Sequence, residues 1–462
     1  VAVTGDLPPS GTTTTALGRL SLSMPASTDA SRLTPLREAR RLILDSAEPL
    51  GRTEVAIDEG LDCVLIEDIV AEAPVPSFAN TAMDGYAVRS QDTTDKGALL
   101  RVRGTIAAGL PVDADPLRPG EAFRIMTGAP LPQGADGIAI VERVEVLNGG
   151  TTVRVLDRIA PGDHIRQAGS DIAAGDVVLH AGAVLGPAAI GVAASLGRAT
   201  VAVHRRPVVG VLSTGDELCE PPRPLGPGQI RDSNRHVLVS LLRRDGYRAV
   251  DCGIARDTEP AVREAIVRAS RSCDVLVTSG GVSMGDFDEV RHVLGLLASE
   301  TGGAATWLQI AIRPAKPLSF ARLPRAAALH DAPGRGDLLI LGLPGNPVSS
   351  MVSYELFARP LLARLSGSRS PVPVPERAIT RERLSRRADG KLHFVRAVAY
   401  LDERGTIVVR PVPGQSSHQL AALAKANCLV LLEDGSGVEE GAEVEILRLG
   451  EALEREDPNP AS

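Results

Sequence analysis

DVLVTSGGVSMGDFD, residues 274–288, passes from a short apolar strand straight into a glycine-rich loop that carries hydroxyls and carboxylates. The apolar run is too short for a helix and is bounded by a turn signal, so it reads as a buried strand. The same alternation recurs on both sides of it. Val208 to Leu212 is an apolar run followed by STGDEL, Ser213 to Leu218. Ser233 or Asn234 is placed to cap a helix that runs to Asp245 and stops at Gly246. Ala249 to Ile254 reads as a second strand, closed by IARD at Asp257, and Thr258 caps a helix to about Ser270. After the quoted stretch the pattern predicts a helix over 287–298, a strand over Leu338 to Leu343, and a helix from Pro347 to about Leu365. Strands alternating with helices predict a doubly wound, mostly parallel α/β sheet with helices on both faces.

Outward from this centre the grammar changes. Residues 35–50 have helical periodicity, and 187–197 open with Pro at a first-turn position and close at a glycine. Between them, residues 85–160 break into short alternating runs such as Phe123 to Met126 and Gly137 to Val146, which predicts a small β unit. Helical and β pieces enclose that unit, so it reads as an insertion. After Arg369, PVPVPE reads as a linker-like turn. Then LHFVRAVAY, TIVVRPV, CLVLLED and EVEILRL predict a small C-terminal β-barrel or sandwich. The expected partition is a disordered tail over 1–32, a two-segment domain over 33–84 and 162–205, an inserted β domain over 85–161, an α/β domain over 206–368, a β domain over 371–450, and a tail over 451–462.

Composition narrows the function classes. At 462 residues the chain predicts more than one domain. Its net charge of -7 gives no general attraction to nucleic acid or to an anionic membrane, so neither is expected as a partner. An anionic ligand would therefore need local positive groups. Aromatics make up only 2%, which leaves Ala, Val, Leu and Ile to fill the cores. Cys63, Cys219, Cys252, Cys273 and Cys428 show no CxxC spacing, and reduced, buried thiols are expected, which fits the cytoplasm. The Ser- and Thr-rich start lacks the basic and apolar regions of a signal peptide, and Ala181 to Gly197 is too short and too weakly apolar to span a bilayer.

Ligands of open α/β sheets bind outside the carboxyl ends of the strands. Here those ends carry Thr214, Gly215 and Asp216, then Asp257, then Ser279, Gly280, Gly281, Ser283, Asp286 and Asp288, then Pro344, Gly345, Asn346 and Ser349. Such a rim suits a phosphorylated or oxyanionic ligand with a divalent cation. The glycines allow backbone amides to approach an anion. Arg313 and Lys316, in IRPAKP, supply positive charge. Asp216, Asp232, Asp257 and Asp286 are hard oxygen ligands suited to Mg²⁺. The plainer alternative is that Asp and Gly merely occupy turns. GVSMG, Gly281 to Gly285, formally matches the serine-hydrolase elbow, but Ser279, Gly280 and Gly281 separate Ser283 from the strand end. The chain has no P-loop and no HExxH helix.

TAMDGYAV, RIMTGAPLPQGAD, STGDEL, GQIRDSNR, TSGGVSMGD, IRPAKP and LPGNPVSS stand in the order of a known signature set. From about residue 35 to 449 the chain resembles the MoeA family, which includes the gephyrin E domain and its plant counterpart, the molybdenum insertases. The resemblance implies four domains: an elongated two-segment one, an inserted β domain, a molybdopterin-binding α/β domain and a C-terminal β domain. It implies an enzyme that takes adenylylated molybdopterin and molybdate with Mg²⁺, releases AMP and leaves molybdenum on the dithiolene sulfurs. It further implies a homodimer in which Asp84 and Thr127 of one subunit complete the site of the other, with Asp232, Asp286 and Lys316 as its catalytic groups. Transient contact with the adenylyltransferase and with molybdoenzyme maturation factors would follow. One departure stands out: the family more often has Lys and Gly where this chain has Arg313 and Ala315. Three other readings remain open: the adenylyltransferase step itself, a non-enzymatic scaffold of the gephyrin kind, and the serine hydrolase. Against the first, the Gly-rich loop of adenylyltransferases typically reads SGGTG and this one reads SGGVS.

Overall fold

The structure, a computed structural model, describes residues 33–109, 111, 115–282, 289–325, 329, 335–450 and 453–455. It divides into two units, one made of residues up to Ser46 with Val208–Arg359 and Val372–Ser462, the other of Ala47–Pro207 with Pro360–Pro371.

In the first unit the α/β pattern forms a six-stranded sheet. Its strands are β1 (Val208–Thr214), β2 (Arg248–Ala255), β3 (Val275–Ser279), β4 (Ala304–Gln309), β5 (Pro317–Leu323) and β6 (Leu338–Leu343). The order across the sheet is β2-β1-β3-β6-β5-β4. The first four in that order run parallel, while β5 is antiparallel to both β6 and β4. Both β3 and β6 are buried along their whole length, which is why their sequences are continuous apolar runs and not alternating ones. Helices α1 (Asn234–Arg244), α2 (Glu259–Ser270), α3 (Glu289–Thr301) and α4 (Pro347–Ser353) connect or follow the strands. Leu212, Leu276 and Ile340 share one apolar cluster with Val262, Ile266, Val293 and Leu297 of α2 and α3. Helices α1 and α4 pack against each other. The β4–β5 hairpin is absent from the sequence reading. Its strands, AATWLQ and PLSFARL, are broken by polar residues and flank the IRPAKP turn, so no clean two-residue period stands out.

Beyond α4 the helix continues through a π-helical turn at Tyr354–Ala358 to Leu365. The C-terminal part of this unit is a closed five-stranded barrel of β7 (Glu376–Thr380), β8 (Leu392–Leu401), β9 (Ile407–Pro411), β10 (Cys428–Leu432) and β11 (Glu443–Arg448). The order is β8-β9-β7-β11-β10, and β10 pairs back to β8. Small residues line its interior, including Ala378, Ala397 and Ala399, beside Val409, Val430 and Ile446. That mixture fills a narrow barrel. The Ile312–Arg313 segment adds to β8 in parallel, which ties the IRPAKP loop to the barrel.

The second unit holds a six-stranded sheet of Gly137–Ile140, Gly85–Val88, Glu121–Ile125, Ala98–Ile106, Thr152–Val155 and Val144–Leu147, in that order. Three antiparallel pairs join segments on its two sequence sides: Arg52–Ala56 with Thr200–His204, Ile69–Val70 with Val177–Leu179, and Asn80–Thr81 with Ile165–Arg166. Four of the five cysteines, all but Cys252, are buried, and all five are free. Among the described residues no helix is long and apolar enough to cross a membrane.

Candidate functional site

The chain leaves β1 for β2 on one side of the sheet and returns to β3 on the other, so the winding reverses between β1 and β3. A crevice is expected at the carboxyl ends there, and a cleft of about 270 Å³ occupies it. Its walls come from Ser213 and Thr214 at the end of β1, Glu217, Asp232 to Asn234, Ser279 and Gly280 after β3, and Gly345 to Pro347 after β6. The loops approach so closely that two glycines are required. At Gly280, φ is +95° and a Cβ would sit 2.8 Å from the Thr214 carbonyl oxygen. At Gly281, φ is +67° and a Cβ would sit 2.3 Å from Val290 Cγ2. Gly215 and Pro344 shape the adjoining backbone without lining this cleft.

Asn234 does not cap its helix. Ser233 takes the N-cap position with no side-chain bond, and Asn234 is the first helical residue. Its Nδ2 donates to Ser279 Oγ at 2.8 Å and to the Gly345 carbonyl at 2.6 Å. Thr214 Oγ1 and Asn234 Oδ1 are sealed in the wall without a hydrogen-bond partner. A polar atom left so costs about 1–3 kcal/mol, and such exceptions in a folded protein call for a reason.

The carboxylates divide into two kinds. Asp232 is buried and fully engaged: Oδ1 accepts from Ser213 Oγ at 3.0 Å and from the Arg235 amide at 3.2 Å, and Oδ2 accepts from Arg235 Nε at 2.9 Å. Arg235, itself buried, also pairs with Glu220 and Asp251. Asp216 and Asp257 lie on the exposed rim, where the Asp257 amide donates to Asp216 Oδ1 at 3.4 Å. Partial burial, then the negative charges of Glu217, Asp216 and Glu289, push the Asp257 carboxyl above its ordinary value. No group of three or more His, Cys, Asp or Glu side chains that could hold a metal ion is assembled among the described residues. Ser283, Asp286 and Asp288 lie outside the described residues.

A second cleft of about 550 Å³ adjoins the first, and Asn346 and His418 line both. It gathers Arg313, Lys316 and Ser349 from the α/β layer, as the sequence pairs them, and adds Lys391 and Gln415 to His418 from the barrel. The sequence reading missed the barrel contribution. The signal was the polar run GQSSH, Gly414 to His418, between two apolar strands. Arg396, fully buried, holds that run through Nη2 bonds to the Gly414 and Ser416 carbonyls. Ala315 is buried at φ +76°, a left-handed conformation that glycine adopts without strain. This explains in physical terms why a glycine suits that position.

Asp84 and Thr127 belong to the other unit. Asp84 Oδ1 accepts from the Thr127 hydroxyl and from the Thr127 amide, both at 2.7 Å. Those bonds hold the Asp84 carboxyl below its ordinary value, and the pair is exposed. Gly85 begins a strand in which a Cβ would meet the Ala139 carbonyl oxygen at 2.2 Å, so the glycine of MDGY is demanded by packing alone.

Comparison with known proteins gives one consistent result along the chain. Residues 34–197 match the MoeA N-terminal region (domain I and II), 210–364 the probable molybdopterin binding domain, and 377–449 the MoeA C-terminal region (domain IV). A protein of Haemophilus influenzae named molybdopterin molybdenumtransferase is 38% identical over 404 residues, covering 87% of this chain and 95% of its own. One of Bacillus subtilis with the same name is 32% identical over 90% of this chain and 94% of its own. Among solved structures, the molybdopterin biosynthesis moea protein from Pyrococcus horikosii superposes with a TM-score of 0.72 at 29% identity, covering 91% of this chain and 100% of that one.

Proposed function

This chain belongs to the MoeA family, and on that premise we propose that it is a molybdenum transferase of molybdenum cofactor biosynthesis. Its substrates in this reading are adenylylated molybdopterin and molybdate. Water cleaves the phosphoanhydride to give AMP and the phosphate of the pterin. The dithiolene thiols displace an oxygen of molybdate, which leaves with their protons as water, so that molybdenum remains on the sulfurs. The observation that carries the reading is the pair of adjoining clefts of unlike chemistry, with Asn346 and His418 common to both. The pterin nucleotide takes the switch-point cleft among Thr214, Ser279, Gly280 and Gly345, with Gly215, Gly281 and Pro344 shaping the adjoining backbone and Ser283 joining them on its sequence assignment. The tetrahedral oxyanion takes the cationic cleft, where Arg313 and Lys316 offer charge and Ser349 a hydroxyl. Charge-assisted hydrogen bonds from such cations are roughly twice as strong as neutral ones. Holding the oxyanion beside the dithiolene replaces a bimolecular encounter by a positioned one.

Mg²⁺ is the cation assigned in this reading. Mg²⁺ is usually held by one or two carboxylates together with substrate phosphates, not by a protein cage. Asp216 and Asp257 fit that demand, because both are exposed on one rim of the cleft, joined by the bond from the Asp257 amide to Asp216 Oδ1. Asp286 joins them in the proposal. Asp232 contributes through Arg235, which already neutralises its carboxylate. When bound, Mg²⁺ supplies charge neutralisation for the pyrophosphate.

The proposal includes a cytoplasmic homodimer in which Asp84 and Thr127 of one subunit complete the site of the other, with transient handover from the adenylyltransferase and to molybdoenzyme maturation factors. The exposed Asp84 with its preset carboxylate supports that role. Mixing inactive Asp84→Ala with inactive Lys316→Ala subunits should restore activity. Heterodimers without activity would put the whole site in one subunit. The direct test of the reaction is incubation with adenylylated molybdopterin, molybdate and Mg²⁺. AMP release with molybdenum appearing on the pterin is expected, and intact nucleotide after many turnover times would refute the reading.

A further inference from the structure

Asn234 stands where two loops converge on the start of α1. β3 ends at Ser279 and the loop after it opens with Gly280, while the loop after β6 carries Gly345 and Asn346. The Gly280 amide donates to the carbonyl of Leu343, the last residue of β6, at 3.1 Å. Asn234, anchored on the first turn of α1, reaches both loops with a single amide nitrogen. An amide nitrogen has two protons, and here each goes to a different loop. The opposite end of the amide, Oδ1, has no partner, so the side chain is held in place by its two donor bonds alone. Helix α1 is in turn fixed beneath it by the buried Arg235–Asp232 pair.

We propose that Asn234 is a positioning residue that sets the gap between the loops after β3 and β6, and so the grip on the nucleotide half of the site. The residue touches no reacting atom in this account. It acts through Ser279, the neighbour of Gly280, whose approach to Thr214 leaves no room for adjustment, and through Gly345, the neighbour of Asn346. Since Asn346 lines both clefts, the same tie fixes the distance from the nucleotide to the oxyanion. This inference rests on the transferase reading for its substrate, but the tie itself is testable without any substrate.

Two variants separate the cases. Asn234→Ala removes both donor bonds. Asn234→Asp keeps the size, puts an acceptor against the Gly345 carbonyl, and can still accept from Ser279. Amide hydrogen exchange over residues 279–282 and 343–346 is measured first, on the free protein. Each hydrogen bond contributes about 1 kcal/mol, which is about fivefold in an equilibrium, so exchange in both loops should rise by about fivefold in Asn234→Ala, and mainly over 343–346 in Asn234→Asp. Unchanged exchange in both variants overturns the tie, whatever the protein binds. Steady-state AMP release is measured second. The KM for adenylylated molybdopterin should rise by about tenfold, while molybdate affinity, read by calorimetry without nucleotide, stays as in the wild type. Faster exchange with an unchanged nucleotide KM overturns the positioning role. Faster exchange in a protein whose wild type releases no AMP supports the tie and refutes the transferase reading instead.

Discussion

The two adjoining clefts are built on opposite plans. The switch-point cleft is built largely on strand ends and loops of the α/β layer, with His418 as its barrel contribution; its walls are mostly neutral, and its buried acid Asp232 is neutralised by Arg235. The cationic cleft takes Arg313, Lys316 and Ser349 from the α/β layer and Lys391 with Gln415 to His418 from the barrel, so it exists only because the two layers meet. The first is rigid by construction, since Gly280 and Gly281 leave no space. The second owes its shape to one unusual turn, with Ala315 at positive φ, and to the parallel addition of Ile312–Arg313 to β8. A neutral, tight cleft suits recognition of a large organic ligand, and an open cationic one suits a small oxyanion.

Breaking the floor of the first cleft should have the largest effect. Arg235→Ala leaves Asp232 as a buried charge without its partner. Removing one member of such a pair costs about 3–5 kcal/mol, so a melting-temperature drop consistent with that loss is expected. A change under about 1 kcal/mol would show that water replaces the arginine at no cost. Asp257→Asn comes next, and it probes the rim. The raised carboxyl means the folded protein binds a proton there more tightly than the unfolded chain does. Stability from this group is therefore present at low pH and lost as pH rises through the raised value. At neutral pH Asp257→Asn should stabilise the metal-free protein by less than about 1 kcal/mol, because the group is largely solvated. It should also raise the Mg²⁺ requirement for AMP release. An unchanged Mg²⁺ titration removes Asp257 from the metal site. The smallest effect belongs to the second cleft. Ala315→Gly relieves a left-handed alanine, worth about 1 kcal/mol, part of which is offset by the freer unfolded glycine. A slight stabilisation in denaturant titration is expected, and a clear loss would mean that the Ala315 methyl packs to better purpose than its strain costs.

The difference between the clefts also explains what the sequence disclosed. Strand-end loops are local, so Thr214, Ser279, Gly280, Gly345 and Asn346 are legible as soon as the strands are found. Asn234 was legible as a helix-start residue only, because its true partners lie 45 and 111 residues away. Lys391 and the GQSSH run were missed because nothing local says that the barrel turns them toward IRPAKP. The β4–β5 hairpin and β7 were missed for a similar reason. Leu338–Leu343 declares itself by unbroken apolar character, whereas ERAIT of β7 is a five-residue strand whose place is fixed by pairing with β9 and β11. The fold class was nonetheless readable, and the observed α/β sheet, inserted β sheet and closed barrel agree with it.

The central claim is that one substrate belongs to each cleft, and calorimetric titration of two variants tests it most directly. Lys316→Ala should weaken molybdate binding by at least about tenfold, given the roughly 1.5–3 kcal/mol of a charged hydrogen bond, while adenylylated molybdopterin binds as before. Gly280→Ala, whose methyl would press on the Thr214 carbonyl, should do the reverse. If both variants lose both ligands to the same extent, or if Lys316→Ala loses only the nucleotide, the division of labour between the clefts is contradicted.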